Sequence, residues 1–277
     1  LNDLARPHPL STVLAVAELK RYITRPEDRI RLNDLLTDAT DAAEAACVPI
    51  HAVLNAPVSG SELTERLTRY EAAVDPLLNL LVMGVYFGDP VHANLWARIL
   101  TRLSALPLAG GYDVWINARR YPALIAFYAC GLASVAAGRY DTLASLMSGV
   151  RVRDGNSHKT ESLLESTLPN KVIGSVPAKT MPGHEQEYTP IQNRLHRKLA
   201  PIFAHIASGE EFEELFDRWE YLYGLIVACR MVVDNDERKW IPVGRYGWRS
   251  RGTEDAAGYR IRREIETLKD MWPPFQA

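Results

Sequence analysis

The chain has 277 residues, 47% of them hydrophobic, and its 32 lysines and arginines nearly balance 34 aspartates and glutamates, for a formal net charge of −2. That composition excludes a disordered chain and leaves room for one large or two ordinary domains. It also excludes a global electrostatic footprint for nucleic acid, so any such binding must come from a local patch.

The first ten residues carry Asp3, Arg6, His8 and two prolines before any apolar run, which is no signal peptide, and the lack of an initiator methionine argues that Leu1 is not the natural start. Helical spacing then appears at Leu10, Val13, Leu14, Ala17 and Tyr22, ending or interrupted at Pro26. A second helix carries Ile30, Leu32, Leu35 and Leu36 into an alanine-rich run, with a break or kink at Pro49. Ser59 and Glu62 form a capping box before Leu63, Leu67, Tyr70 and Val74, and Pro76 is expected to bend or divide this helix. Asp89-Pro90 is the clearest helix start in the chain, leading to a face of Leu95, Ile99, Leu103 and Leu106.

Arg119 to Met147 is the organising stretch. No charged residue lies between Tyr121 and Gly138, so a helix through it is apolar all round and needs neighbours on every side. About eighteen uncharged residues is the lower limit for a membrane span. Here the proline, the two tyrosines, the many small residues and the absence of a second such segment favour a buried core helix. Gly138 stops it and Asp141 is expected to cap the next helix, making a hairpin of tetratricopeptide type, although no period of about 34 residues extends from it.

From Arg151 to Pro190 the prolines at 169, 177, 182 and 190 forbid one long helix and predict an irregular surface excursion. ESLLESTL is expected to make two turns and KVIGSV a short strand or extended stretch. Thr189-Pro190 starts a helix with Pro201 near its end, and an acidic helix follows through Phe212, Leu215, Phe216, Trp219, Leu222 and Tyr223. Its acids crowd the first half, where the helix dipole favours them. After a loop, Thr253 is expected to cap a last helix through Ile261, Ile265 and Leu268, and WPPFQA makes no natural terminus. The expected architecture is therefore all-α, an irregular α-solenoid or layered helical bundle of nine to eleven helices with the tetratricopeptide-like hairpin at its centre. Its parts are a helical layer over 1–150, the excursion over 151–190, and a helical part over 191–277 packed on the first. Cys47, Cys130 and Cys229 lie far apart in apolar helical contexts and read as reduced core residues of a cytoplasmic protein.

The segments Phe216 to Leu222 and Trp240 to Arg249, together with RRYPALIAFYACGLASVAAGRYDTL, resemble a helical C-terminal accessory region of large bacterial proteins. In those proteins it follows effector domains of sirtuin-like, Schlafen-type or nuclease kind, with roles proposed in phage defence. The similar sequences continue past WPP with a glycine-rich aromatic tail, so this chain is expected to be truncated. The resemblance covers about half the chain and implies a sensing, assembly or regulatory module without an assigned catalytic residue.

Two constellations could carry chemistry. Asp234, Asp236, Glu237 and Lys239 have the composition of a metal-dependent nuclease site. However, they follow a predicted helix into a loop rather than lying on a strand, so a solvated helix end is the favoured reading. Arg238, Lys239, Arg245, Arg249, Arg251, Arg260, Arg262 and Arg263 stand against only Glu254 and Asp255, interleaved with Trp240, Tyr246, Trp248 and Tyr259. Such a segment suits nucleic-acid or anion binding, with Arg238, Lys239, Arg245, Trp248, Arg249 and Arg251 as candidates. The competing reading pairs these arginines with Glu210, Glu211, Glu213, Glu214, Asp217 and Glu220 of the acidic helix. His184, Glu185 and Glu187 sit close enough to touch a metal but read as incidental surface residues, and His92 and His196 fall in predicted helices without a second ligand at the spacing of three or four. No phosphate-binding or dinucleotide fingerprint is present, so no metal and no cofactor is expected. The sequence thus points to a non-catalytic interaction module, bound to a protein partner, an effector domain or copies of itself and not to a membrane. Nucleic-acid binding or nucleolysis through 238–263 is the alternative.

Overall fold

Apolar spacing of period 3.6 becomes thirteen α-helices and one small hairpin in the computed structural model, which describes residues 9–52, 56–106, 110–153, 160–233, 243–249 and 257–276. In order these are α1 (Pro9–Ile23), α2 (Arg29–Cys47), α3 (Gly60–Phe87), α4 (Ala93–Ser104), α5 (Asp113–Ala118), α6 (Tyr121–Ala136) and α7 (Tyr140–Gly149). Strands β1 (Arg151–Arg153) and β2 (Thr160–Ser162) pair antiparallel, Val152 opposite Glu161. Then come α8 (Leu163–Ser166), α9 (Pro169–Val172), α10 (Ser175–Lys179), α11 (Pro190–Phe203), α12 (Glu210–Val233) and α13 (Ala257–Leu268). The all-α layered bundle is what the spacing predicts. No helix among the described residues is long and apolar enough to cross a membrane.

The uncharged stretch is α6, with every residue from Tyr121 to Val135 buried. Its broadest contact is with α3, and α4, α7, α9, α11 and α12 also touch it. It ends as Gly138 predicts: at φ +65° the glycine N–H donates to Val135 O (3.1 Å) and the Arg139 N–H to Ser134 O (2.8 Å), which satisfies two orphan carbonyls. The next helix begins at Tyr140, so Asp141 is no N-cap; it sits in the first turn and accepts from the Thr142 N–H at 2.7 Å.

Other signals read locally also hold. Ser59 caps α3, its Oγ accepting from the Glu62 N–H and donating to the Glu62 carboxylate. Asp89-Pro90 opens a 3-10 turn into α4 with His92 completing the box. Pro49 ends α2 in a 3-10 turn, and Pro190 starts α11.

Three expectations need correction. Helix α3 runs unbroken through Pro76, because Leu67, Tyr70, Val74, Leu77, Leu78 and Leu81 are buried on both sides of it, and that packing outweighs the ~3 kcal/mol a mid-helix proline costs. Residues 160–190 are no surface excursion: Leu163, Leu164, Val172, Ile173, Ala178 and Met181 are buried, and the Tyr223 hydroxyl of α12 lies 3.2 Å from both Leu164 O and Thr167 O. The prolines there punctuate helices of about one turn, with KVIGSV helical in part and ESLLESTL making one turn, not two. Cys229 is exposed, unlike Cys47 and Cys130, because it falls on the side of α12 away from buried Val227. Thr253 lies outside the described residues. Buried side chains from 1–150, 151–190 and 191–277 belong to one hydrophobic cluster.

Helix α6 also packs closely against α12. A Cβ on Gly131 would lie 2.3 Å from ring carbons of Trp219, whose indole packs against Phe127, Tyr128 and Tyr223. Alanine would gain ~1 kcal/mol in helix propensity, but the rigid buried indole cannot swing aside, and overpacking costs ~1–3 kcal/mol. With a contact this short the upper end of that cost applies, a net loss of about 2 kcal/mol, and Gly131→Ala is expected to lower Tm by roughly 4 °C in calorimetry. An unchanged Tm would mean that α12 can retreat from α6.

Candidate functional site

The acids of α12 divide by helical phase. Glu213, Asp217 and Glu220, four and three residues apart, share one face. The segment 243–249 lies along it. Arg245 reaches Glu213 (3.1 Å) and Asn193 (2.8 Å) and lies 5.6 Å from the Phe216 ring centroid. Arg249 grips Asp217 with Nε (3.1 Å) and Nη2, and lies 3.7 Å from Glu213. The Arg245 backbone N–H donates to Glu220 Oε2 at 2.5 Å. Gly244 permits that approach, since a Cβ there would lie 2.2 Å from the same oxygen.

Glu220 is almost wholly buried, and the Tyr128 hydroxyl stands 3.3 Å from its Oε1. Burial raises its carboxyl to about 8, with Asp217 adding to the rise, while the Arg245 N–H and side chain pull the other way. Asp217 is raised as well, first by burial, and its Oδ1 accepts no hydrogen bond. His196 Nε2 lies 2.9 Å from Glu213 Oε1 without hydrogen-bond alignment; burial and Arg245 lower the imidazole to about 4, so at neutral pH it carries no charge.

Of the candidates, Arg245 and Arg249 come together here, each guanidinium answered by carboxylates of α12. Trp248 stacks on Tyr188 (centroids 4.5 Å apart, planes 5° apart), with Lys179 6.0 Å from the Tyr188 ring. Arg260 pairs with Glu214 (3.5 Å) and Arg262 with Glu266 (2.7 Å). Arg238, Lys239 and Arg251 lie outside the described residues, as do Asp234, Asp236 and Glu237. Among the described residues no group of His, Cys, Asp or Glu is placed to hold a metal.

A cleft of about 430 Å³ separates α12 from α13, its charged lining supplied by Glu211, Glu214, Asp217, Arg218, Arg260 and Glu264. Arg218 forks onto Glu264 (2.8 and 2.7 Å), which also accepts from the Trp272 indole (2.9 Å). The lining holds no nucleophile paired with a base.

Two polar sets escaped the sequence reading. His184 is buried, not incidental, its Nδ1 2.6 Å from Glu187, which Arg197 of α11 also meets at 3.1 Å. Glu71 of α3 accepts from the Tyr121 hydroxyl (2.7 Å) and from Arg194 Nε and Nη2 (2.6 and 2.9 Å), tying α3, α6 and α11. His184 and Glu187 are three residues apart, whereas only long-range topology brings Tyr121 and Arg194 to Glu71. Comparison with protein-family models, curated proteins and solved structures gave no match.

The Glu220 carboxyl makes stability depend on pH. In the unfolded chain it titrates near 4.5, so between there and about 8 the folded chain keeps a proton that the unfolded chain has lost, and stability falls as pH rises. Glutamine mimics the protonated form, offering an oxygen to the Arg245 N–H and an NH2 group to Tyr128. Glu220→Gln is expected to remove that part of the decline in denaturant unfolding followed from pH 5 to pH 8. An identical pH profile in both proteins would show that Glu220 is ionised when folded.

Proposed function

We propose that this chain is a non-catalytic helical module that acts by protein contact, assembling or sensing within a larger bacterial effector of the phage-defence type that its two motifs resemble. The observation that carries the reading is the clamp: Arg245 and Arg249 of the basic segment are spent on Glu213 and Asp217 of α12, so their charge holds the fold together. What the clamp turns outward is the Tyr188–Trp248 stack, 65% and 37% exposed, beside Val243 at 42%. Aromatic side chains held rigid next to cations are the composition of protein-interface anchors. The nucleic-acid alternative would need Arg245 and Arg249 to leave buried or half-buried carboxylates, leaving Asp217 without its cation.

Light scattering on the purified chain separates the two. Alone, it is expected to give a discrete assembly heavier than the 31.1 kDa of one chain, unchanged by a mixed nucleic-acid pool at low or high salt. Tyr188→Ala/Trp248→Ala should shift it toward one chain. A single-chain particle that takes up nucleic acid only at low salt, and loses it in an Arg245, Arg249 and Arg251 triple alanine variant, would overturn the reading.

A further inference from the structure

Far from the clamp, a second cleft of about 230 Å³ opens between the 3-10 turn after α2, the first half of α3 and Trp115 of α5. Pro49, Ile50 and Trp115 make an apolar wall, and Arg66 and Arg69 enter it from α3. Trp115 is fully buried and fixed, its indole N–H donating to Ala56 O at 3.2 Å. The Arg66 guanidinium lies 4.4 Å from the Trp115 ring centroid, and the residue is only 9% exposed. Its Nη1 is buried without a hydrogen-bond partner.

That is an unusual way to leave an arginine. Buried guanidinium groups are normally met by a carboxylate, and one left without an acceptor bears the full cost of its desolvation. Around Arg66 the neighbours make matters worse. Arg119, 3% exposed, lies close enough that the two arginines together hold His51 down, after burial, at about 4. His51 itself offers Nδ1 to the Tyr70 hydroxyl (2.9 Å), not to either arginine. Arg66 is lowered first by burial and further by Arg69. The acids in the lining, Glu62 and Glu65, are both exposed, and Glu62 is held by Ser59 in the α3 cap. The cleft thus has a buried guanidinium at its base, with exposed Arg69, Glu62 and Glu65 around its rim.

We infer that this cleft binds a small organic carboxylate, its oxygens on Arg66 Nη1 and Arg69 and its apolar part on the Trp115, Ile50 and Pro49 wall. The rim acids choose the charge of the ligand: Glu62 and Glu65 repel a dianionic phosphate more than a monoanion, and the apolar wall gives phosphate nothing to rest on. The site is independent of the clamp and of the assembly reading, and stands or falls apart from them.

The test uses the whole chain with benzoate as the probe, against inorganic phosphate and chloride at equal ionic strength. Calorimetry is expected to show saturable binding at one site for benzoate, tighter than for phosphate. NMR should show the His51 imidazole rising from about 4 as the anion offsets the neighbouring cations. Arg66→Met should weaken benzoate at least about tenfold while leaving the chain folded, since it breaks no ion pair or hydrogen bond among the described residues and keeps an apolar side chain against Trp115. Arg69→Gln, on an exposed side chain that folding does not need, should weaken it about threefold. No saturable binding to the native chain, equal binding to both variants, or phosphate binding tighter than benzoate would each overturn the proposal.

Discussion

A helix without a polar face can carry a polar atom only where a neighbour answers it, and α6 carries two phenols. Tyr121 and Tyr128 lie seven residues apart, about two turns. Each meets a buried carboxylate on a different helix, Glu71 of α3 and Glu220 of α12. Each carboxylate is in turn met by an arginine from a further element: the Arg194 guanidinium of α11 in one case, the Arg245 backbone N–H in the other. Burying α6 on all sides thus fixes which atoms of α3, α11, α12 and the 243–249 segment must stand opposite it. Hydrophobic burial supplies most of the stabilisation, but it is nearly indifferent to rotation about the helix axis. The two phenol–carboxylate–arginine chains, together with the absent Cβ of Gly131 under Trp219, set that rotation.

The same division of labour explains the charges of α12. Glu210, Glu211 and Glu213 crowd its first turn, where the helix dipole favours them. Pairs at the surface, such as Arg260 with Glu214 and Arg262 with Glu266, are worth little individually. Asp217 and Glu220, both about 1% exposed, are a different matter: removing the cation beside Asp217 costs far more than the pair contributes, and Glu220 needs the Arg245 N–H and the Tyr128 hydroxyl as its hydrogen-bond partners. They act as constraints on position: Arg249 and the Arg245 backbone each have one place to go. A segment of only seven described residues with one short 3-10 turn could not hold its shape by its own packing, and the carboxylates hold it.

How much of this the sequence discloses depends on the range of the interaction. The buried helix, the glycine that stops it, the Ser59 box and the Asp89-Pro90 and Thr189-Pro190 starts are decided within a few residues, and all are legible. Pro76 was misjudged because its local penalty is real and is outweighed only by leucines packing against α1, α2 and α6, which a local window does not contain. The 160–190 segment was misjudged for the same reason. Its apolar residues come in pairs too short to show a helical period, and their burial follows from packing against α3, α4, α5, α6, α7 and α11. At the basic segment both readings were open, because a run of arginines looks the same whether its counter-charges are in solution, on a partner or thirty residues upstream. His184 stood out only as one of a surface set with Glu185 and Glu187, and Glu71 and Arg66 gave no signal at all, since the worth of a lone polar residue lies in what the fold brings to it.

Arginine's meaning in this protein therefore rests on its surroundings. Arg194, Arg218, Arg245 and Arg249 each have a carboxylate or amide within hydrogen-bond reach, and their removal would strand an acid. Arg66 inverts that relation: it is as buried as Glu71, lies one turn before Tyr70 on the same helix, and yet its Nη1 faces no acceptor. Trp115 lends the guanidinium a π-face, which attracts the cation but supplies no lone pair in its plane. A buried guanidinium nitrogen without a partner, on a side chain that lines a cleft, is placed for something that arrives from outside. What arrives must bring the oxygen that the fold withholds, and little more charge than one arginine can meet.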